Sequence, residues 1–194
     1  KLINAIEEKD IKNSNTNILH DKRFWLAAST HKEEDIFCIK THLKLKEKFK
    51  DIITIIAPRH IERSEKILLL AKKFNLNAQI LNKNENILQK KEIIIVNYFG
   101  ALTSFFKYAK SVYMGKSMIL RLKDQGGQNP IEAAQLGCKI YNGPYIYNFE
   151  DIYKVLEENI LAHNFYTNKE ISNVYMGTFY THMHTANYVL SLIS

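Results

Sequence analysis

The chain is short of the residues that cross-link small proteins or interrupt regular structure: two cysteines, three prolines, seven glycines and one tryptophan in 194 residues. Two isolated cysteines, Cys38 and Cys138, are too few for a disulfide framework or a zinc site and suit a reducing compartment as free thiols. Neither has a visible histidine base beside it, so a thiol nucleophile is not expected. Long apolar runs are lacking as well. The two longest clusters, "IITIIAP" and "EIIIVNYFG", have the length of buried strands and not of a bilayer span. No basic stretch followed by an apolar one and a cleavage site opens the chain, and its first residue is Lys1. These features read as a piece of a longer protein. Acid is in deficit, with 27 Lys and Arg against 20 Asp and Glu, a formal charge of +7. Such a balance favours phosphates, nucleic acid or an anionic membrane surface. The lysines of "HLKLKEKFKD", "LLAKKFN" and "ILQKKE" alternate with apolar positions, however, as solvated faces do. With no aromatic-rich basic motif of an RNA-binding type, nucleic acid is not expected as a partner.

What is present is the balance of a globular protein, 46% hydrophobic and 24% charged. Apolar periodicity predicts an alternation of elements. "RFWLAAST", "DIITIIAP", "NAQIL", "EIIIVN", "SVYMG" and "CKIYNG" read as strands. "EEDIFCIKTHLKLKEKF", "RSEKILLLAKKFN", "GALTSFFKYAK", "NPIEAAQLG", "NFEDIYKVLEEN" and the C-terminal "TFYTHMHTANYVLSLIS" read as helices. Strand alternating with helix predicts an α/β fold, a Rossmann-like parallel sheet with helices on both faces. Residues 1–22 are polar and read as a lead-in from a missing N-terminal region, with the domain proper over 23–194.

In such folds ligands sit outside the carboxyl ends of the strands, so the strand-to-helix loops carry the chemistry. "ASTHKEED" places Ser29, Thr30 and His31 before a helix start, where hydroxyls and free backbone N–H groups suit a phosphate; Thr30 and Glu33 have capping-box spacing. In "APRHIER", Arg59 and His60 follow a buried strand directly, as a two-pronged clamp and a hydrogen-bond donor for an anion. "DQGGQNPIEAAQLG" pairs two glycines ahead of a helix that Asn129 is expected to cap and Pro130 to open. Gly126 and Gly127 would let a ligand approach the backbone, and Glu132 could accept from sugar hydroxyls. Neither a Rossmann dinucleotide fingerprint nor a P-loop is present. "GPYIYNF" supplies a turn and Asn148 as a cap for the next helix. His182 and His184 point apart on a helix and do not make a metal site; no metal and no cofactor is expected.

With "AASTHKEED", "PRHIER", "GGQNPIEAA" and "GPYIYNF" in this order, the chain resembles the C-terminal half of the 3-deoxy-D-manno-octulosonic acid (Kdo) transferases, from Trp25 to the end. The resemblance implies a domain of a GT-B glycosyltransferase, two Rossmann-like domains facing each other across a cleft. It implies an inverting enzyme that moves Kdo from CMP-Kdo to a lipid A precursor in lipopolysaccharide assembly, at the cytoplasmic face of the bacterial inner membrane. The acceptor site, membrane anchor and catalytic base would belong to the N-terminal domain, leaving this part inactive alone and the anionic membrane surface a possible partner. Ser29, Thr30 and His31 would lie at the donor phosphate, and Arg59 and His60 at the cytidine or phosphate. Gly100, Lys116, Ser117, Gly126, Gly127, Gln128 and Asn129 would line the cleft, with Glu132 at the ribose.

Two departures stand out from the family's pattern. Glu33 replaces the glycine of His-x-Gly-Glu-Glu, and Asn97 and Ala101 replace two acids of Asp-x-x-Gly-Glu-Leu. A short extra segment within "MILRLKDQ" would form a mobile flap. Two other classes remain open on sequence: a sugar-nucleotide epimerase of the same architecture, and a non-catalytic basic module binding lipid or RNA.

Overall fold

A computed structural model describes residues 13–159 and 162–164. The elements in chain order begin with α1 (Asn13–Asp21), β1 (Phe24–Thr30), α2 (Glu34–Lys48), β2 (Ile53–Pro58) and α3 (Ser64–Lys73). They continue with β3 (Ala78–Leu81), β4 (Ile93–Val96), α4 (Leu102–Phe106), β5 (Ser111–Met114) and α5 (Ile131–Gln135). β6 (Lys139–Asn142), α6 (Glu150–Glu158) and β7 (Ala162–Asn164) complete them, with short 3-10 turns at Ile61–Arg63, Leu120–Gln125 and Tyr147–Phe149. Among the described residues the strands form one sheet, ordered β3-β4-β2-β1-β5-β6-β7, with every pairing parallel.

The sequence accounts for this arrangement. β1 and β2 are buried at every position, as "FWLAAST" and "ITIIAP" require of strands covered on both sides. Successive side chains then divide between two cores. Leu26, Ala28, Ile55, Ile94, Val112 and Ile140 pack with Phe105, Ala133 and Tyr153 from α4 to α6. Trp25, Ala27, Ile56, Ile95 and Tyr113 pack with Phe37, Leu45 and Ile67 from α2 and α3. The predicted alternation is thus the observed one, with local differences. The helix expected over "GALTSFFKYAK" is confined to Leu102–Phe106, a segment of Thr, Ser and Phe with modest helix propensity. β7 was not anticipated, since three residues show no periodicity.

The polar stretch read as a lead-in carries α1. Asn15 Nδ2 donates to the Glu85 carbonyl at 2.8 Å and Asn15 Oδ1 accepts from the Ile87 N–H at 2.7 Å, while Leu19 joins the core. The C-terminal helix predicted over "TFYTHMHTANYVLSLIS", with His182 and His184, lies outside the described residues.

Much of the excess positive charge stands where the strands begin. Lys22, Lys46, Lys50, Lys90 and Lys91 line a cleft of about 780 Å³ there, and Lys22, Arg23, Lys107 and Lys110 a neighbouring one of about 750 Å³. Helices end at this edge, and lysines near helix C-termini offset the dipole.

Beneath it, His42 of α2 is fully buried. Its Nδ1 bonds the Thr54 hydroxyl at 2.9 Å, and its Nε2 has no partner within hydrogen-bond reach. Burial lowers its pKa to about 4. Between the ordinary value of 6.5 and about 4 the unfolded chain binds the proton that the folded chain refuses, so stability falls as the solution is acidified through that window. Thermal midpoints are expected to drop from pH 7 to pH 4.5 by an amount equivalent to up to about 3 kcal/mol. His42→Gln, which keeps a hydrogen-bonding side chain but cannot titrate, should make the profile shallower, leaving the slope that His31, also held down to about 4, contributes over the same window.

Candidate functional site

The strand order reverses between β2-β1 and β5-β6, so the loops leaving β1 and β5 emerge side by side at the switch point where α/β sheets bind ligands. β1 ends irregularly: its register against β2 shifts between Ala28 and Thr30, and Ser29 adopts φ 55. Gly115 packs against this turn so closely that a Cβ there would overlap the Ser29 carbonyl oxygen and stand 2.7 Å from the Thr30 Cα.

One buried carboxylate joins the two loops. Glu34, at the start of α2, is 1% exposed. It accepts from the Tyr113 hydroxyl at 2.6 Å and from the backbone N–H groups of Lys116 (2.8 Å), His31 (2.9 Å), Ser117 (3.0 Å) and Met118 (3.1 Å). Sequence reasoning placed the capping carboxylate at Glu33; the structure gives that reach to Glu34, which bonds the His31 N–H three residues back. Glu33 instead accepts from Arg121 Nε at 2.7 Å. Arg121 belongs to the segment within "MILRLKDQ", which forms the 3-10 turn Leu120–Gln125 and is thus tied to the start of α2.

Arg63, just before α3, ties the β2 loop to the β1 loop by pairing with Asp35 and donating to the Thr30 carbonyl at 2.8 Å. Thr30 itself is fully buried, its hydroxyl donating to Asp35 at 3.4 Å. Ser117 is likewise buried, with Oγ donating to the Met114 carbonyl at 2.6 Å and accepting from the Gly143 N–H at 2.9 Å. The Thr30 hydroxyl, expected at the phosphate, and the Ser117 hydroxyl, expected to line the cleft, are both engaged in holding the loops. Ser29 is also buried.

Around the junction stand five basic side chains. The His31 and His60 rings meet edge to face, centroids 5.7 Å apart. Burial first, then the nearby charges of His60, Lys116, Arg63 and Arg59, hold the His31 pKa down to about 4. Arg59 and His60 are exposed and Lys116 half-buried, at φ 60. The carboxylates around the start of α2 are occupied: Glu34 by its five donors, Asp35 by Arg63, and Glu33 by Arg121. Arg59, His60 and Lys116 have no carboxylate partner among the described residues.

The glycine pair has a different role from the one expected. A Cβ on Gly126 would overlap the Tyr145 carbonyl, and one on Gly127 would stand 3.1 Å from the Ile146 Cα. The missing side chains therefore admit the loop after β6. Gly127, at φ 89, donates its N–H to the Lys116 carbonyl at 2.8 Å. Asn148, expected as a helix cap, instead grips this loop, its side chain donating to the Gln125 carbonyl at 2.8 Å and its N–H to the Gly126 carbonyl at 3.1 Å. Asn129 does cap: its Oδ1 accepts from the Ile131 N–H at 3.0 Å. The carbonyl of Gln128 receives the Tyr153 hydroxyl at 3.1 Å. Glu132 accepts from the Thr103 hydroxyl, and Gly100, at φ 79, is exposed in the loop after β4. Asn97 stands between the Ser64 hydroxyl and the Asn82 side chain, and Ala101 is buried in the core.

A parallel sheet with this order, and a basic cluster at its switch point, define the Rossmann-like domain that forms the C-terminal half of GT-B glycosyltransferases. The C-terminal CMP-Kdo binding domain of WaaA from Acinetobacter baumannii superposes with a TM-score of 0.68 over 89% of this chain and 91% of that domain, at 18% identity. By sequence the chain is similar to the Kdo transferases. It is 34% identical over 144 residues to that of Rickettsia conorii, covering 74% of this chain and 30% of the relative. The Haemophilus influenzae transferase is 28% identical over 138 residues, 71% of this chain and 31% of the relative. The chain thus spans about a third of the length of the curated relatives it matches. No family model matches it.

Proposed function

We propose that this chain is the donor-binding domain of a Kdo transferase, holding the cytidine monophosphate part of CMP-Kdo at the ends of β1, β2 and β5. The observation that carries this reading is the gathering of Arg59, His60 and Lys116 around His31, none of the three with a carboxylate partner among the described residues, an arrangement that suits an anion. Its place at the switch point and the sequence relationship to Kdo transferases support the same reading over an epimerase or a purely basic module. In the reaction a CMP leaving group gains negative charge as the glycosidic bond breaks, and fixed cations aimed at it stabilise that charge without reorganising. Gly100, Gly126, Gly127, Gln128, Asn129 and Glu132 form the further walls, and Ser29 contributes backbone. A lipid A precursor as acceptor, a catalytic base on an N-terminal domain, residues 1–22 as the lead-in from that domain with α1 packed on this one, and work at the cytoplasmic face of an inner membrane complete the proposal. No helix among the described residues is long and apolar enough to cross a membrane; the lysines at the strand starts suit contact with an anionic bilayer.

Calorimetric titration with CMP is expected to show binding in the micromolar to millimolar range. Arg59→Ala should weaken it by about 1–3 kcal/mol, the worth of a charged hydrogen bond. A folded protein that gives no heat at millimolar CMP would sink the reading.

A further inference from the structure

A cluster of fixed positive charges binds any anion, but two of the groups here can change their charge. His31 leaves the β1 loop and His60 the β2 loop, and their rings are in edge-to-face contact. Lys32 and Glu62, beside them in the chain, are exposed to solvent. Arg59 shares the β2 loop, Arg63 lies in the turn before α3, and Lys116 is in the loop after β5. The carboxylates on the facing helix, Glu33, Glu34 and Asp35, are each held by Arg121, the backbone amides or Arg63. His31 Nε2 is buried and has no partner within hydrogen-bond reach. Burial, and then the cations of the β2 and β5 loops, keep His31 neutral at physiological pH. An anion placed among those cations reverses the local potential, and the imidazole pair becomes the readiest place for a proton.

We propose that His31 and His60 form a proton-accepting clamp that selects a doubly charged phosphate monoester over a singly charged phosphodiester. This rests on the donor-binding reading above and says which charge state of the nucleotide the site is built for. A phosphate monoester carries about two negative charges above its second pKa near 6, whereas a diester carries one. Arg59 and Lys116 serve both ligands. The additional charge of the monoester is met by a proton taken from solvent onto the imidazole pair. In glycosyl transfer from a nucleoside monophosphate sugar, the phosphate changes from diester to monoester as the bond to the sugar breaks. The clamp therefore responds to charge that exists only late in the reaction, the kind of interaction that accelerates a chemical step.

The test is calorimetry with cytidine 5′-monophosphate and with its methyl diester, each at about pH 7.5, above the phosphate pKa, in two buffers of different ionisation enthalpy. The monoester is expected to bind with uptake of a fraction of a proton, on the order of one half, and about tenfold more tightly than the diester. The diester should bind with no uptake. The double variant His31→Gln, His60→Gln should still bind the monoester through Arg59 and Lys116, without uptake and with the preference lost. Monoester binding without proton uptake, or equal affinities in the wild-type chain, overturns the clamp while leaving the donor reading intact. Absence of binding by both ligands removes the donor reading itself. Should the double variant fail to fold, the wild-type comparison of the two ligands still decides.

Discussion

Glu34→Ala is expected to cost the domain a large part of its stability, on the order of 4 kcal/mol or more. The carboxylate receives four backbone N–H groups and one phenol, all between 2.6 and 3.1 Å. Removing it strands Lys116, Ser117, Met118 and His31 amides in a site that is 1% exposed at its centre. Each buried unsatisfied group costs about 1–3 kcal/mol, and water entering the cavity recovers part of that. A total of this size is comparable to the 5–15 kcal/mol that holds a typical domain together, so the variant should populate unfolded chain at moderate temperature. Urea denaturation measures it. Glu34→Gln should fall between, since one carbonyl oxygen remains while the new NH₂ opposes amide donors. A loss below about 1 kcal/mol for the alanine variant would mean the loops hold together without the carboxylate.

The contrast between what was readable in the sequence and what was not follows from the range of each interaction. Strands β1 and β2 declare themselves because a strand buried on both faces must be apolar at every position, and "FWLAAST" and "ITIIAP" are. The loops at the switch point follow from the same pattern, and so do Arg59 and His60, polar residues set directly after a buried strand. Asn129 was readable as a cap because its bond to Ile131 is local. Glu34 was not, because four of its five donors come from 79 to 84 residues away and sequence spacing shows only the fifth. Thr30 looked like a ligand for the opposite reason: a hydroxyl beside a helix start serves a phosphate or a buried carboxylate equally well, and only burial tells them apart. Asn148 was assigned to the helix that follows it, yet its side chain crosses to Gln125. α1 was hidden since its polar face supplies most of its residues and one leucine, Leu19, supplies its core contact.

The second large effect is expected at Gly115, a position that no motif marks. Its Cα lies against the left-handed turn that ends β1, and a methyl group there would meet backbone atoms that cannot rotate away: the Ser29 carbonyl oxygen, the Ser29 carbon at 2.8 Å and the Thr30 Cα at 2.7 Å. Either the β1 loop or the β5 loop must move. Gly115 also donates its N–H to the Ala28 carbonyl at 2.8 Å, so the displacement runs into the sheet. Because His31 follows Thr30 and Lys116 follows Gly115, any such movement separates the basic groups that the proposed anion site needs together. Gly115→Ala should therefore lose about 1–3 kcal/mol of stability, the usual penalty of overpacking, and weaken CMP binding at least tenfold, about 1.4 kcal/mol or more. Gly137→Ala is the control. Its Cβ would meet nothing within 4 Å, but φ is +78, so the substitution strains the backbone by about 1 kcal/mol far from the switch point. Both variants should melt at lower temperature, and the Gly115 variant alone should lose affinity. If calorimetry finds CMP affinity unchanged in Gly115→Ala under conditions where the protein is folded, the contact between the β1 and β5 loops does not set the site, and the ligand is held elsewhere on the domain.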